Sequence, residues 1–274
     1  MSDFLSTMAE ASQLRAGEAR AKSGVRGLAS RAASGPPVVL LDLPETGFDL
    51  IAEVKLASPA DGQLVITDDP ELRVEEFTSL YQDGGAAVVS VLTEPSRFGG
   101  SLGHLETAVA AADLPVMRKD FLVDPIQVIE ARAAGASGVL LIARLTDASL
   151  LIEMTDTAIE FGMFVLVEVF EETDLDKASV VFDRKILIGV NTRDLTTLEV
   201  NAGRLADLAP HLPDGLPRVA ESGMKSSGDA RFAAMLGYRL ALVGTALVTS
   251  EGPEKTVRAL IAAGRRTVAT RLTS

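Results

Sequence analysis

The fold is indicated most clearly by the stretch Pro217-Arg-Val-Ala-Glu-Ser222, which Gly223 follows directly. A short apolar strand ends here in a carboxylate, a hydroxyl and a glycine. The carboxylate can titrate, and glycine lets the backbone approach a ligand closely. The stretch therefore predicts a strand whose C-terminal end forms part of a functional site.

The same arrangement recurs at four other predicted strands, which also end in charged or amide residues. They are Ile51-Ala-Glu-Val-Lys55, Pro115-Val-Met-Arg-Lys119, Leu166-Val-Glu168 and Ile188-Gly-Val-Asn-Thr-Arg193. In parallel α/β folds, ligands bind outside the carboxyl ends of the strands. We therefore expect the polar groups of all five strands to meet in one place.

Strand and helix patterns alternate regularly from residue 48 onwards. Strands are predicted at 49–55, 86–92, 115–118, 137–143, 163–169, 186–191, 217–221 and 240–244. Helices are predicted near 70–82, 102–112, 125–134, 147–161, 171–179, 203–209, 228–236 and 254–263. Eight β-then-α units match a (β/α)8 TIM barrel in number and length. An open doubly wound sheet is the alternative, but no break in composition divides the chain into halves.

The first part of the chain lies outside this repeat. Residues 1–34 have a helical pattern that includes Phe4, Leu5 and Met8, and Gly35-Pro36-Pro37 ends it. We expect one catalytic barrel domain at 48–274, preceded by an N-terminal helical extension at 1–47. A helix that covers the floor or the side of the barrel is one interpretation, and a helix over the active site is the other.

Composition excludes several classes of function. The net charge is −12 and the sequence pI is about 4.7, which argues against a nucleic-acid partner. The chain has no Cys and two His, so disulfides, thiolate catalysis and Cys- or His-rich metal sites are excluded. We find neither a signal peptide nor an apolar stretch of membrane-spanning length. A cytoplasmic protein without a membrane partner is expected.

Two lysines and three glutamates stand at the predicted strand ends. Burying a carboxylate without a partner is costly, so glutamates embedded in apolar runs require cationic neighbours. Such a set can hold one acid and one base near neutral pH. The candidate catalytic residues are Glu53, Lys55, Lys119, Glu168, Asn191 and Glu221.

The loops after strands seven and eight indicate a phosphate site, as is usual for this fold. Gly223 and Gly244 allow close approach of the backbone, while Ser222 and Thr245 supply hydroxyls. Two tight glycine turns without a ligand are the alternative. Asp120, next to Lys119, is expected either to orient that lysine or to face water.

With these residues in view, the sequence resembles the indole-3-glycerol phosphate synthase family. The resemblance is carried by IAEVKLASPADG (51–62), VSVLTEPSRFGGS (89–101), RKDFLVDPIQVIEARAAGASGVLLI (118–142), LVEVFEETDL (166–175), GVNTRDL (189–195), VAESGM (219–224) and ALVGTALV (241–248). These stretches occur in family order from about residue 48 to the end of the chain.

The resemblance implies ring closure, decarboxylation and dehydration of 1-(2-carboxyphenylamino)-1-deoxyribulose 5-phosphate in tryptophan biosynthesis. It implies no metal or organic cofactor. Lys119 would be the general acid, Glu168 the base, and Lys55 a ligand for the anionic substrate and its phosphate. Glu53 and Glu221 would orient the lysines and stabilise positive charge, and Asn191 would position the substrate.

The remaining residues of the resemblance would bind substrate. Ser58, Arg193 and Phe98 would contact the body of the substrate, and Ser222, Gly223, Gly244 and Thr245 would hold the phosphate. We expect a monomer or weak homodimer, with other enzymes of tryptophan biosynthesis as further candidate partners.

Four positions depart from the usual family pattern, namely Leu56, Ala60, Phe170 and Thr192. These four residues bear on two expectations, namely how tightly the substrate binds and which substituents its aromatic ring can carry. A paralogue that acts on a substituted anthranilate-derived substrate is therefore one alternative. A non-catalytic phosphate-binding barrel and a phosphosugar isomerase or epimerase are the others.

Overall fold

Eight parallel strands close into a barrel in the computed structural model, which describes residues 3–195 and 197–272. The strands are β1 (Asp49–Val54), β2 (Val88–Leu92), β3 (Val116–Lys119), β4 (Gly138–Ile142), β5 (Phe164–Val169), β6 (Leu187–Asn191), β7 (Arg218–Glu221) and β8 (Leu240–Val243). Most of them are short runs rich in Val, Leu, Ile and Ala, as expected for parallel strands buried on both faces. The predicted barrel is confirmed, with every strand boundary within two residues of the expected one.

Neighbours along the chain are neighbours in the barrel, and β1 closes it by pairing with both β2 and β8. Ile51 of β1 lies opposite Val88 on one side and Leu242 on the other. This closure leaves no exposed sheet edge and brings all eight carboxyl ends to one rim.

Helices surround the barrel. They are α1 (Asp3–Ser34), α2 (Pro70–Asp83), α3 (Pro95–Phe98), α4 (Leu102–Ala111), α5 (Pro125–Ala133), α6 (Ala148–Glu160), α7 (Glu172–Ala178), α8 (Gly203–Leu208), α9 (Ser227–Met235), α10 (Thr245–Val248) and α11 (Pro253–Leu272). Short 3-10 turns lie at Ala143–Leu145, Ser179–Val181 and Ala209–His211. The last helix extends beyond the predicted end at residue 263. A two-stranded hairpin, Ala57–Ser58 with Gly62–Gln63, follows β1.

Helix α1 packs along α5 and reaches the carboxyl rim of the barrel. Ala16 and Leu28 pack against Ile126 and Ile129 of α5. Nearer the N-terminus, Leu5 and Met8 join the apolar cluster inside the barrel. Both interpretations of this helix therefore hold in part. It lies on the side, and its first turns extend over the rim.

Buried polar contacts fix α1 in this position. Arg15 donates to Asp120 at 2.7 Å, and the amide of Gln127 donates to the hydroxyl of Ser12 at 2.8 Å. Asp120 is buried and also accepts hydrogen bonds from Thr93 and Arg118. It does not face water, because its carboxylate joins α1 to the end of β3.

We predict opposite effects on stability from two glycine-to-alanine substitutions. A Cβ on Gly264 of α11 would lie 2.1 Å from the buried Phe48 ring, so Gly264→Ala should lower the free energy of unfolding by about 1–3 kcal/mol. A Cβ on Gly17 of α1 would meet nothing within 4 Å. Gly17→Ala should therefore raise the free energy of unfolding by about 0.5–1 kcal/mol, because alanine has the higher helix propensity. Urea denaturation measures the free energy of unfolding of both variants, and equal changes in the two would contradict the packing described.

Candidate active site

A cavity of about 720 Å³ opens at the carboxyl ends of the strands. Its wall includes every residue predicted to be catalytic, namely Glu53, Lys55, Lys119, Glu168, Asn191 and Glu221. Phe98, Arg193, Ser222, Gly223, Gly244 and Thr245 also line it. The structure thus brings together the polar ends of five strands, as the sequence predicts.

Strand periodicity explains why these side chains point inwards. Successive side chains of a strand face opposite sides, so a residue two positions beyond an interior residue is also interior. Ile51, Met117, Leu166 and Val219 all belong to the apolar cluster inside the barrel. Two positions further on stand Glu53, Lys119, Glu168 and Glu221, in that order.

Lys119 lines the cavity and interacts with three carboxyl groups. Its Nζ lies 3.6 Å from Oε2 of Glu168. Burial by itself lowers the pKa of Lys119, but Glu168, Glu53 and Glu221 outweigh it and raise the pKa above its ordinary value of 10.5. Lys119 is therefore an ammonium at neutral pH and can donate a proton or a hydrogen bond to a ligand.

Lys55 and Glu53 form a second ion pair, with 3.0 Å between Nζ and Oε1. Burial by itself raises the pKa of Glu53, but the ammonium groups of Lys55 and Lys119 lower it below 4.5. Glu53 is consequently a carboxylate at neutral pH and holds the Lys55 ammonium at the cavity wall.

Glu221 behaves differently from Glu53. Burial and the adjacent Glu168 raise the pKa of Glu221 well above 4.5. Both carboxyl oxygens of Glu221 and Oε2 of Glu168 are buried without a hydrogen-bond partner among the described residues. Buried polar atoms are normally paired, so these oxygens are available to a ligand in the cavity.

Two glycines make room for the carboxyl groups. A Cβ on Gly189 of β6 would lie 1.9 Å from Oε1 of Glu221, and a Cβ on Gly244 would lie 2.1 Å from Oε1 of Glu53. Any side chain at either glycine would displace the neighbouring carboxyl group. Gly189 was not predicted as a site residue, although a glycine inside a strand often marks such a close approach.

The two loops predicted to bind phosphate lie on the same wall. Ser222 and Gly223 adopt left-handed backbone conformations, with φ of 65° and 71°. Gly244 precedes Thr245 at the start of α10. The first amides of a helix have no partners within it, and they attract anions.

Hydrogen bonds to neighbouring residues fix the positions of Asn191 and Arg193. The carbonyl of Asn191 accepts from Arg204 at 2.7 Å, and its side-chain oxygen accepts from the backbone amide of Arg193 at 2.9 Å. The guanidinium of Arg193 donates to the carbonyl of Leu198 at 2.8 Å. Leu198 itself lines the cavity with a φ of 63°. The loop that follows β6 thus forms part of the wall.

Ser58 is the one predicted site residue that does not line the cavity. Its hydroxyl donates to Asp61 at 2.9 Å, and Asp61 reaches the wall in its place. Asp61 was not predicted as a site residue, because its position depends on the hairpin after β1. The apolar residues Leu195 and Val200 also line the cavity and were not predicted.

The four positions that depart from the family pattern have distinct surroundings. Ala60 lines the cavity, whereas Leu56 is buried. Phe170 is buried with the Arg144 guanidinium 4.2 Å from its ring centre, and the hydroxyl of Thr192 donates to the carbonyl of Glu221. Of these four side chains, Ala60 is the one that can contact a ligand directly.

Comparison with known proteins identifies the family. The model of one protein family, described as indole-3-glycerol phosphate synthase, matches residues 25–260. The chain belongs to the indole-3-glycerol phosphate synthase family. The synthase of Mycobacterium avium is 45% identical over 237 residues, and that of Mycobacterium tuberculosis is 44% identical over the same length. In both cases the match covers 86% of this chain and 85% of the relative. The chain is therefore an enzyme of tryptophan biosynthesis.

More distant structures share the barrel. The 3-hexulose-6-phosphate synthase of Salmonella typhimurium matches with a TM-score of 0.65 at 15% identity, covering 80% of this chain and 100% of that one. The orotidine 5'-phosphate decarboxylase of Pyrococcus horikoshii matches with a TM-score of 0.58 at 12% identity, covering 79% of this chain and 99% of that one. At these identities the likeness concerns the fold alone.

The cavity contains no obvious place for a metal. Among residues 3–195 and 197–272, no group of three or more His, Cys, Asp or Glu side chains is placed to hold a metal ion. In the same part of the chain, no helix is both long and apolar enough to cross a membrane.

We predict that Gly189→Ala lowers synthase turnover by about 100-fold, because the added Cβ displaces the Glu221 carboxyl group. Steady-state kinetics and a circular dichroism melt measure activity and folding together. Gly103→Ala in α4 is the control, since its Cβ would come no closer than 3.4 Å to a neighbour. Full activity in Gly189→Ala would contradict the close contact between Gly189 and the Glu221 carboxyl group.

We also predict a pH-dependent stability difference between wild type and Glu221→Gln. Above the ordinary pKa of 4.5 the unfolded chain ionises at Glu221, while the raised pKa disfavours ionisation of this group in the folded chain. Wild type should therefore lose stability relative to Glu221→Gln as the pH rises above 4.5, because ionisation of Glu221 favours the unfolded chain. For a single group the slope cannot exceed about 1.4 kcal/mol per pH unit. Urea denaturation of both proteins at each pH measures it, and a constant difference would contradict the raised pKa.

Proposed function

We propose that the enzyme converts 1-(2-carboxyphenylamino)-1-deoxyribulose 5-phosphate to indole-3-glycerol phosphate, with loss of CO2 and water. In this proposal it is a carboxy-lyase. The observation that carries the proposal is the Lys119–Glu168 pair, a raised-pKa ammonium 3.6 Å from a buried carboxylate oxygen that has no hydrogen-bond partner among the described residues.

Ring closure needs a proton donor at the substrate carbonyl. The aromatic carbon that carries the carboxyl group attacks the carbonyl carbon, and the carbonyl oxygen takes a proton from Lys119 to become a hydroxyl. Loss of CO2 from the same aromatic carbon then restores the aromatic ring. An ammonium held beside three carboxyl groups suits this first step, because it is charged at neutral pH and positioned by its neighbours.

Dehydration needs a base and a leaving hydroxyl. Glu168 takes a proton from the carbon that joins the ring nitrogen to the hydroxyl-bearing carbon, and the C–O bond breaks as the new C–C double bond of the pyrrole ring forms. The hydroxyl leaves as water with a proton from Lys119, which solvent has reprotonated after the first step, and Glu168 then releases its proton to solvent. Oε2 of Glu168, which pairs with Lys119 at 3.6 Å but makes no hydrogen bond among the described residues, is the oxygen available for this transfer. Glu53, which remains a carboxylate, stabilises positive charge on the ring nitrogen. Glu53 and Glu221 together orient the lysines.

Binding roles follow from position on the cavity wall. Ser222, Gly223, Gly244, Thr245 and Lys55 hold the phosphate in this proposal. Asn191 positions the substrate, and Arg193 holds an anionic or polar group. Phe98 contacts the aromatic part, since its ring lies 6.2 Å from that of Phe121 at the apolar side of the cavity. Ser58 acts through Asp61, because it does not line the wall.

We predict that Lys119→Met lowers turnover by at least about 100-fold, since it removes the proton donor but keeps the apolar stem. Ligand binding should survive because the phosphate loops are unchanged. Indole fluorescence measures product formation with little background, as the chain has no Trp and only two Tyr. Lys185→Met, at an exposed lysine, is the control. Near-normal turnover in Lys119→Met would remove Lys119 from this role.

We predict that Glu168→Gln stalls the late step. The amide keeps the shape of the carboxylate but cannot take the proton, so the decarboxylated and hydrated intermediate should accumulate in single-turnover reactions. Quenched-flow sampling with mass detection measures it. Release of indole product at the wild-type rate, with no intermediate, would contradict this assignment.

A further inference from the structure

Asp61 lies at the corner of the cavity that the proposed phosphate ligands form. Its Oδ2 accepts a hydrogen bond from the hydroxyl of Thr245 at 3.2 Å and another from Ser58 at 2.9 Å. The backbone amide of Asp61 also donates to the Ser58 hydroxyl at 3.0 Å. The carboxylate is therefore held in place from two sides, one of which is the start of α10.

The same corner contains Lys55 and Gly244. Cε of Lys55 lies 3.0 Å from the point where a Cβ on Gly244 would stand, so the lysine stem passes directly over the glycine. Lys55 and Thr245 would both contact a phosphate bound there. The Asp61 carboxylate thus accepts the Thr245 hydrogen bond that a bound phosphate oxygen would otherwise accept.

We propose that Asp61 is a built-in anionic competitor of the substrate phosphate, so that binding requires its carboxylate to leave Thr245. This inference rests on the proposed phosphate site. The carboxylate and the phosphate carry charge of the same sign and share the donor on Thr245, so both cannot occupy the corner at short range. Asp61 therefore sets how tightly the enzyme binds phosphorylated ligands, and it does so through charge.

The position of Asp61 in the hairpin turn explains how its carboxylate can move away from Thr245. It lies in the turn of the hairpin formed by Ala57–Ser58 and Gly62–Gln63. The base of this hairpin is fixed, because the amides of Leu64 and Val65 both donate to the carbonyl of Leu56. In the turn, Asp61 is exposed to solvent, so its side chain can rotate away into water, where water replaces the hydrogen bonds to Ser58 and Thr245.

Asp61→Asn separates charge from shape, since the amide oxygen can still accept from Ser58 and Thr245. Titration of inorganic phosphate by calorimetry should show roughly threefold to tenfold tighter binding than in wild type, and added NaCl should reduce the difference. Asp68→Asn is the matched control, because it removes the same charge from an exposed residue that does not line the cavity. It should bind phosphate as wild type does.

Kinetics give an independent readout. In Asp61→Asn we expect KM for the phosphorylated substrate to fall by a similar factor, with kcat changed less than KM. A merely structural role would lower kcat or stability and would not tighten phosphate binding.

Equal or weaker phosphate binding in Asp61→Asn relative to Asp68→Asn would overturn the inference, as would no detectable phosphate binding in any variant. Failure of the proposed reaction would be seen separately. In that case wild type would form no indole product while Asp61→Asn still bound inorganic phosphate more tightly.

Discussion

The ammonium of Lys119 is the charge on which the rest of the active site depends. Glu53, Glu168 and Glu221 are each buried at the end of a different strand, and an isolated buried carboxylate is costly. Lys119 interacts with all three, and their combined attraction raises its pKa in spite of burial. Removing the lysine would leave the carboxyl groups facing one another in an apolar barrel.

Backbone geometry makes this cluster possible. The barrel brings the strand ends together, and period-two alternation turns residues two positions beyond the interior layer towards the cavity. Gly189 and Gly244 then provide the space that two carboxyl groups occupy. The result is one carboxylate paired with Lys55, and two closely placed acids of which Glu221 has a pKa well above its ordinary value. Different environments thus shift the pKa values of chemically similar residues in opposite directions.

Much of this could be predicted from sequence because it depends on local pattern. Apolar runs followed by glutamate, lysine or asparagine predict both the strands and their functional ends. What could not be predicted depends on contacts between distant parts of the chain. The placement of α1 requires Arg15 to meet Asp120 and Ser12 to meet Gln127, and no local pattern contains those pairs. The position of Asp61 likewise depends on the hairpin turn meeting the start of α10.

The protonation state of Lys119 is the most direct test of this arrangement of charges. Lysine labelled with ¹³C at Cε can be followed by NMR as the pH is raised, with Lys119→Met used to assign the signal. We predict a titration midpoint above the ordinary lysine value of 10.5, because three carboxyl groups stabilise the ammonium. A midpoint well below 10.5 would show that burial outweighs those carboxyl groups, and it would contradict an ammonium among them at neutral pH.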